Sequence, residues 1–379
     1  MTPDAGGSAL AGAFPRAAVV HEWLTAPGGS EKVVLALLGL LPGAAVYTSV
    51  YDPAPWREVL AGHPVHPSFL NRLPGATRNY PKLLPLMNAA FESFDLSGLD
   101  LVISSSHSCA KNVVTGPGTL HVCYCHTPMR HAWEPGFLAG EALGPVGSVA
   151  ARLLLGRLRR QDLTGAVRPD LFVANSTHVA ARIAKYYRRE ARVVHPPVEV
   201  ERHLRRERRP RDYYLVLGRL VPYKRADLAV AACAALGRPV KVVGEGRAAP
   251  AVRSAAGPGA DFLGRVSDAE VVELLAGARG LLFPGEEDFG IVPVEAQAAG
   301  VPVVAWGVGG VRDSVVDGET GVLFREQSVA GLAAAILELE GRDLDEPAIR
   351  ANARRFGPER FREEMTGVIL EHSAAKLPA

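Results

Sequence analysis

The sequence predicts an α/β protein of two domains, each built on a parallel sheet. Three observations carry this expectation. Short apolar runs alternate with longer helical patterns along the whole chain, which is how successive β-α-β units read. A charged, proline-containing stretch at residues 203–211 follows Pro196-Pro197 and separates two similar halves. The length of 379 residues suits two or three domains, and 48% apolar residues are ample for their cores.

Taken in order, residues 1–14 are Gly/Ala-rich and lack a cationic start followed by a long apolar stretch. They read as a disordered tail rather than a signal peptide. Strand runs in the first half are Ala18-Val19-Val20, Ala45-Val46-Tyr47, Leu101-Val102-Ile103, Val122-Cys123-Tyr124, Leu171-Phe172-Val173 and Val193-Val194. Between the second and third, Pro81 and Pro85 break any long helix in the mixed basic and apolar region 69–94. That region holds Asn71, Arg72, Arg78, Tyr80 and Lys82 among Leu, Met and Phe. It reads either as an ordinary amphipathic surface helix or as a contact with a lipid headgroup at the inner membrane face or with a lipid-linked acceptor. The basic stretch 152–160 reads as a solvated helix face.

In the second half the runs are Tyr214-Leu215-Val216-Leu217, Val240-Lys241-Val242-Val243, Phe262-Leu263, Leu281-Leu282-Phe283, Val303-Val304 and Val322-Leu323-Phe324. Residues 358–372 are helical in pattern. The expected domains are residues 1–198, residues 199–355 and a final helix at 356–379. Two such halves would be two Rossmann-like units facing across a cleft.

Composition excludes several classes. A net charge of +2 carries no polyanion signature, so nucleic acid is not an expected partner. Cys109, Cys123, Cys125 and Cys233 show no disulfide-like spacing, which points to a reducing, cytoplasmic setting. No run approaches eighteen apolar residues, so no membrane-spanning helix is expected. His121, Cys123, Cys125 and His126 superficially suggest zinc. Strand alternation places His126 on the opposite face from the two cysteines, and no C-x2-C pair exists, so no metal is expected.

The most informative stretch is residues 281–300. The buried run Leu281-Leu282-Phe283 leads into a polar loop with Glu286, Glu287, Asp288 and Gly290. Pro293 then suits the first turn of a helix that Gly300 ends. Glu287 would lie in the loop and Glu295 in the first helical turn, seven residues apart. The N–H groups around Gly290, Ile291 and Val292 would sit at the helix start, where a phosphate is favoured. Two acceptor-only carboxylates flanking an anion site suit a ligand that is anionic in the middle and rich in hydroxyls at both ends. A nucleotide-sugar has that shape. From the residues alone, Glu295 could equally be a helix-dipole carboxylate, and the three acids a solvated turn.

This segment resembles the E-x7-E signature of retaining glycosyltransferases of family 4, which have the GT-B fold. Leu217-Gly218-Arg219-Leu220-Val221-Pro222-Tyr223-Lys224-Arg225 resembles that family's Gly-Arg-Leu…Lys segment. His21-Glu22-Trp23 with Gly28-Gly29-Ser30-Glu31 resembles its N-terminal Gly-rich loop. Residues 124–133, Tyr-Cys-His-Thr-Pro-Met-Arg-His-Ala-Trp, resemble the bacterial mannosyltransferases of O-antigen and related polysaccharides. The resemblance spans roughly residues 17–370. It implies transfer of a hexose from a nucleotide-diphosphate sugar to a hydroxyl acceptor, with GDP-mannose the preferred donor and a UDP-sugar the alternative. An epimerase or phosphorylase on the same fold, or an inactive sugar-nucleotide-binding partner, are the rivals from other classes.

The resemblance also assigns roles. Arg219 and Lys224 would stabilise the diphosphate leaving group, whose charge grows as the glycosidic bond breaks. Glu295 would accept ribose hydroxyls, and Glu287 those of the transferred sugar. Gly28 and Gly29 would let a loop lie over the donor phosphate. Val266, Phe289, Gly290, Ile291 and Val292 complete the donor-binding set. His126 would contact the sugar or reaction centre, with His107 second and Arg130 on the acceptor or phosphate side. His107 reads equally as a structural histidine. In the family's fold, the last helix crosses back to the first domain.

Overall fold

The computed structural model describes residues 5–134, 145–209 and 212–376. Residues 1–4 of the expected tail and Pro210 and Arg211 of the expected boundary lie outside the described residues. The chain divides into two compact units: residues 1–195 with 361–379, and residues 196–360. The charged segment expected to separate the domains is therefore part of the second unit. Its Glu201–Leu204 helix packs on the helices Ile291–Ala298 and Asp268–Gly277.

The first unit is a seven-stranded parallel sheet. Its strands are β1 Ala17–His21, β2 Ala45–Thr48, β3 Val65–Pro67, β4 Leu101–Ser106, β5 Leu120–Cys125, β6 Leu171–Ala174 and β7 Arg192–Val193. They lie in the order β3-β2-β1-β4-β5-β6-β7. β4 and β5 are buried along their whole length, as a parallel sheet covered on both faces requires. β3 escapes sequence detection because Val65 is its one aliphatic residue and it pairs only at the sheet's edge.

The N-terminal expectation is corrected. Residues Ala5–Ala13 form a helix, Leu10 is fully buried, and Leu10 and Phe14 join the first unit's core. Composition hid this because Leu10 and Phe14 are single apolar residues in a Gly/Ala-rich segment. Their spacing of four nevertheless puts them on one helix face. Region 69–94 breaks into the short helical pieces Phe69–Arg72, Ala76–Asn79, Tyr80–Leu83 and Leu84–Glu92, with Pro81 and Pro85 each in a first turn. The last helix runs Pro358–Lys376. Phe361, Met365 and Ile369, spaced by four, complete the first unit's core although the second unit precedes them in sequence.

The second unit is a six-stranded parallel sheet: β8 Tyr214–Leu217, β9 Val240–Val243, β10 Ala260–Gly264, β11 Gly280–Phe283, β12 Val303–Trp306 and β13 Gly321–Phe324. The order is β10-β9-β8-β11-β12-β13. Helices Ala226–Leu236 and Val329–Glu340 cover one face, with Ala229, Val230, Leu332 and Ile336 in the core beneath them. Ser267 and Glu270 form a capping box that starts the helix Asp268–Gly277. In both sheets the strand order reverses once, at β1/β4 and at β8/β11. Such switch points are where open α/β sheets bind ligands, outside the carboxyl ends of the strands. Among the described residues, no helix is long and apolar enough to cross a membrane.

Candidate active site

At the second unit's switch point, the loops leaving β8 and β11 meet. Gly218, Arg219 and Lys224 from one, and Pro284, Gly285 and Glu287 from the other, line a single cavity. Lys224 Nζ lies 2.7 Å from Glu287 Oε1, with both side chains partly buried. Gly285 permits the approach: a Cβ there would sit 2.5 Å from the Lys224 Cα. Three sequence-predicted residues are thus brought together, with Arg219 exposed at the rim.

Gly290 starts the helix Ile291–Ala298 with a φ of +87°, a conformation other residues rarely adopt. The first-turn N–H groups that follow have no acceptor within the helix. Phe289 is buried against Phe356, ring centres 5.5 Å apart, so its side chain anchors the loop to the core. Glu295 is the fifth helical residue, one turn deeper than the sequence suggested. A dipole-satisfying role in the first turn therefore does not describe it. Its buried carboxylate pairs with Arg202 at 2.9 Å, and Arg202 also holds Asp268 at 2.9 Å. Val266 is partly buried in the loop after β10.

At the first unit's switch point, polar side chains cluster at the ends of β1 and β4. Glu22 is wholly buried. Its Oε1 accepts from the N–H groups of His107, Ser108 and Ala110 and from the Ser106 hydroxyl, and its Oε2 accepts from the Cys109 N–H. Burial pushes this carboxyl up, but the His107 charge and the Ala110 and Cys109 N–H groups outweigh that, and its pKa lies below the ordinary value. Glu22 thereby fixes the loop that carries His107. The His107 ring stands 4.7 Å from Trp23, and burial lowers its pKa, with Glu22 opposing.

His126 directly follows β5, 6.4 Å from His107 between ring centres. Its Nε2 lies 2.8 Å from Ser105 Oγ, which lies 3.1 Å from His21 Nδ1. His21 Nε2 in turn lies 3.4 Å from Glu31 Oε1. Burial, then His107 and His21, hold the His126 pKa well below the ordinary histidine value. Burial would raise the Glu31 carboxyl, but the His21 hydrogen bond and charge, with the Ser30 hydroxyl, pull it down to about 2. Gly28 and Gly29 are exposed at the start of the helix Gly29–Leu40. Arg130 lies 3.9 Å from Glu134, which also pairs with Arg182.

Residues 211–341 match the family described as Glycosyl transferases group 1, and residues 27–202 match Glycosyltransferase Family 4. Successive halves of the chain thus match two glycosyltransferase family models, on a fold of the GT-B kind. The chain is 31% identical over 220 residues to D-inositol 3-phosphate glycosyltransferase of Streptomyces avermitilis, covering 49% of this chain and 47% of that protein. It spans half the length or less of the curated relatives it matches. Its fold is similar to sucrose-phosphate synthase of Thermosynechococcus elongatus, with a TM-score of 0.70, 17% identity, and coverage of 95% of this chain and 100% of that one. Anabaena HepE in complex with UDP gives a TM-score of 0.66 at 16% identity, covering 94% and 100%.

Several residues at these sites escaped sequence reading. Arg202 immediately precedes the charged stretch 203–211 and carries no motif that singles it out. Its proximity to Glu295 comes from the packing of helix Glu201–Leu204 on Ile291–Ala298. Ser105 lies in a run of three serines that closes β4, just beyond the apolar run Leu101-Val102-Ile103. Three consecutive serines buried in a parallel strand are themselves a signal, since buried hydroxyls need partners.

Proposed function

We propose that this protein transfers a hexose from a nucleotide-diphosphate sugar to a hydroxyl acceptor, with retention of anomeric configuration and without a metal ion. The Lys224–Glu287 pair inside the second unit's switch-point cavity is the observation that carries this reading. A cation and a sugar-binding carboxylate side by side suit the junction between diphosphate and hexose. When a donor enters, Lys224 would turn to the β-phosphate beside Arg219 and release Glu287 to the sugar hydroxyls. The charge that develops on the leaving diphosphate is then met by groups already in place. Glu295, held by Arg202, would receive the ribose hydroxyls.

The second unit thus holds the donor. His126 and His107 of the first unit serve the sugar and reaction centre, and Arg130 the acceptor. Because no carboxylate is assigned beneath the anomeric carbon, front-face attack is the preferred route, with the leaving phosphate taking the acceptor's proton. GDP-mannose remains the preferred donor, on the resemblance of residues 124–133. A UDP-sugar is the second reading, favoured by fold relatives solved with UDP and with UDP-glucose.

Phe69, Leu73 and Leu86 are exposed beside Arg72, Arg78 and Lys82, so any peripheral lipid contact would fall on this face. Co-sedimentation with anionic vesicles tests that contact, and its loss in the Phe69→Ser/Leu86→Ser double variant would map it.

A thermal-shift panel of GDP-, UDP-, ADP- and dTDP-sugars tests the donor. At a hundred times Kd the right donor adds about 2.7 kcal/mol of stability. NMR of the product anomer, in buffer with EDTA, tests stereochemistry and metal independence. No response to any nucleotide-sugar, or an inverted product, would overturn the reading.

A further inference from the structure

The linked side chains Glu31, His21, Ser105 and His126 all lie in the first unit, and the order of donors and acceptors along them can be worked out. Two of His21's neighbours can only accept. The Ser105 carbonyl lies 3.2 Å from Nδ1, and the Glu31 carboxylate lies 3.4 Å from Nε2. Glu31 is ionised at neutral pH, as its carboxyl titrates near 2. A proton is therefore required on each His21 nitrogen for both contacts to be hydrogen bonds. The Nδ1 proton is then shared between the Ser105 carbonyl and its hydroxyl oxygen at 3.1 Å. A hydroxyl that accepts from one side has its own proton to give to the other. That proton points to His126 Nε2 at 2.8 Å. His126 is neutral, so it carries its single ring proton on Nδ1. The described residues provide Nδ1 with no hydrogen-bond partner.

We propose that Ser105, oriented by His21 and Glu31, is a positioning residue that fixes the tautomer of His126, so that Nδ1–H is the donor His126 offers to a ligand oxygen. The partner this selects is an acceptor oxygen: a sugar hydroxyl or a phosphate oxygen of the nucleotide-sugar. In transfer, His126 would act by hydrogen bonding rather than as a base, since its one lone pair is already engaged by Ser105. The proposal rests on the glycosyl-transfer reading for its consequence in turnover, but not for its structural content.

The groups facing His126 are few. Tyr124 stands 5.2 Å away and His107 6.4 Å away between ring centres, and Asn175 donates to the His126 backbone carbonyl. Of these, none holds Nε2, so Ser105 is the group whose removal should free it.

The test uses the full chain labelled with ¹⁵N-histidine, with His126 assigned by its disappearance in His126→Gln. Wild type should show the Nδ1–H tautomer. Ser105→Ala should shift His126 toward the Nε2–H form and lower kcat at least tenfold, with a smaller change in donor KM. Ser105→Thr, which restores a hydroxyl, should recover both. Thermal unfolding of each variant separates these effects from misfolding. An Nε2–H tautomer in wild type, or a tautomer unmoved by Ser105→Ala, overturns the proposal. So does a shifted tautomer with wild-type kcat. If wild type transfers no sugar from any donor, the functional reading falls, while the spectra still decide the hydrogen-bond order.

Discussion

Replacing Glu22 by Gln should loosen the loop that carries His107. The carboxylate accepts four backbone N–H groups and one hydroxyl in a site with no solvent exposure. Glutamine keeps the shape but turns one oxygen into a donor. The least damaging placement puts its NH₂ at the Oε2 position, opposite the Cys109 N–H. One buried donor then loses its acceptor, at about 1–3 kcal/mol. The remaining bonds lose their charge assistance, which roughly doubles a hydrogen bond's strength. Together these amount to ~3 kcal/mol, or about a hundredfold in the loop-opening equilibrium. Hydrogen exchange read by mass spectrometry on a peptide covering residues 107–110 should therefore accelerate about a hundredfold. Exchange in β9 of the other unit serves as an internal control. Unchanged protection at 107–110 would show that Glu22 does not hold this loop, and the positioning of His107 would need another cause.

Three further outcomes follow from the same geometry. Glu31 titrates near 2 in the folded protein against an ordinary 4.5, so its contribution is fully present above pH 4.5 and is lost as pH falls through 2. That contribution is ~3 kcal/mol. Glu31→Gln should flatten the acid destabilisation of the first unit between pH 4.5 and 2, and an unaltered profile would contradict the pairing with His21. Arg219→Ala or Lys224→Ala should lower kcat by roughly a hundredfold or more with a smaller effect on acceptor KM, and steady-state kinetics at wild-type level would remove that residue from the mechanism. By calorimetry, Glu295→Ala should weaken both the free nucleoside diphosphate and the sugar-nucleotide, whereas Glu287→Ala should weaken mainly the intact donor. The opposite pattern would exchange their roles.

The sequence by itself determined where most strands of both sheets lie along the chain. Among the described residues, twelve of the thirteen strands are visible as short apolar runs, because strands of a parallel sheet covered on both faces are largely apolar. The turn chemistry at Gly290 and Gly300 was equally readable, since each has a positive φ that few other residues adopt. What the tertiary structure alone decided are pairings between residues far apart in the chain. Arg202 meets Glu295 ninety-three positions away, and Glu22 meets a loop more than eighty positions on. The burial of Leu10 and Phe14 also belongs here, because two isolated apolar side chains in a Gly/Ala-rich tail order only when a core is present to receive them. Local pattern reports which groups a residue's own element exposes or hides. Which carboxylate meets which donor depends on how elements pack, and strand order, unlike strand position, is not written in any local stretch of sequence.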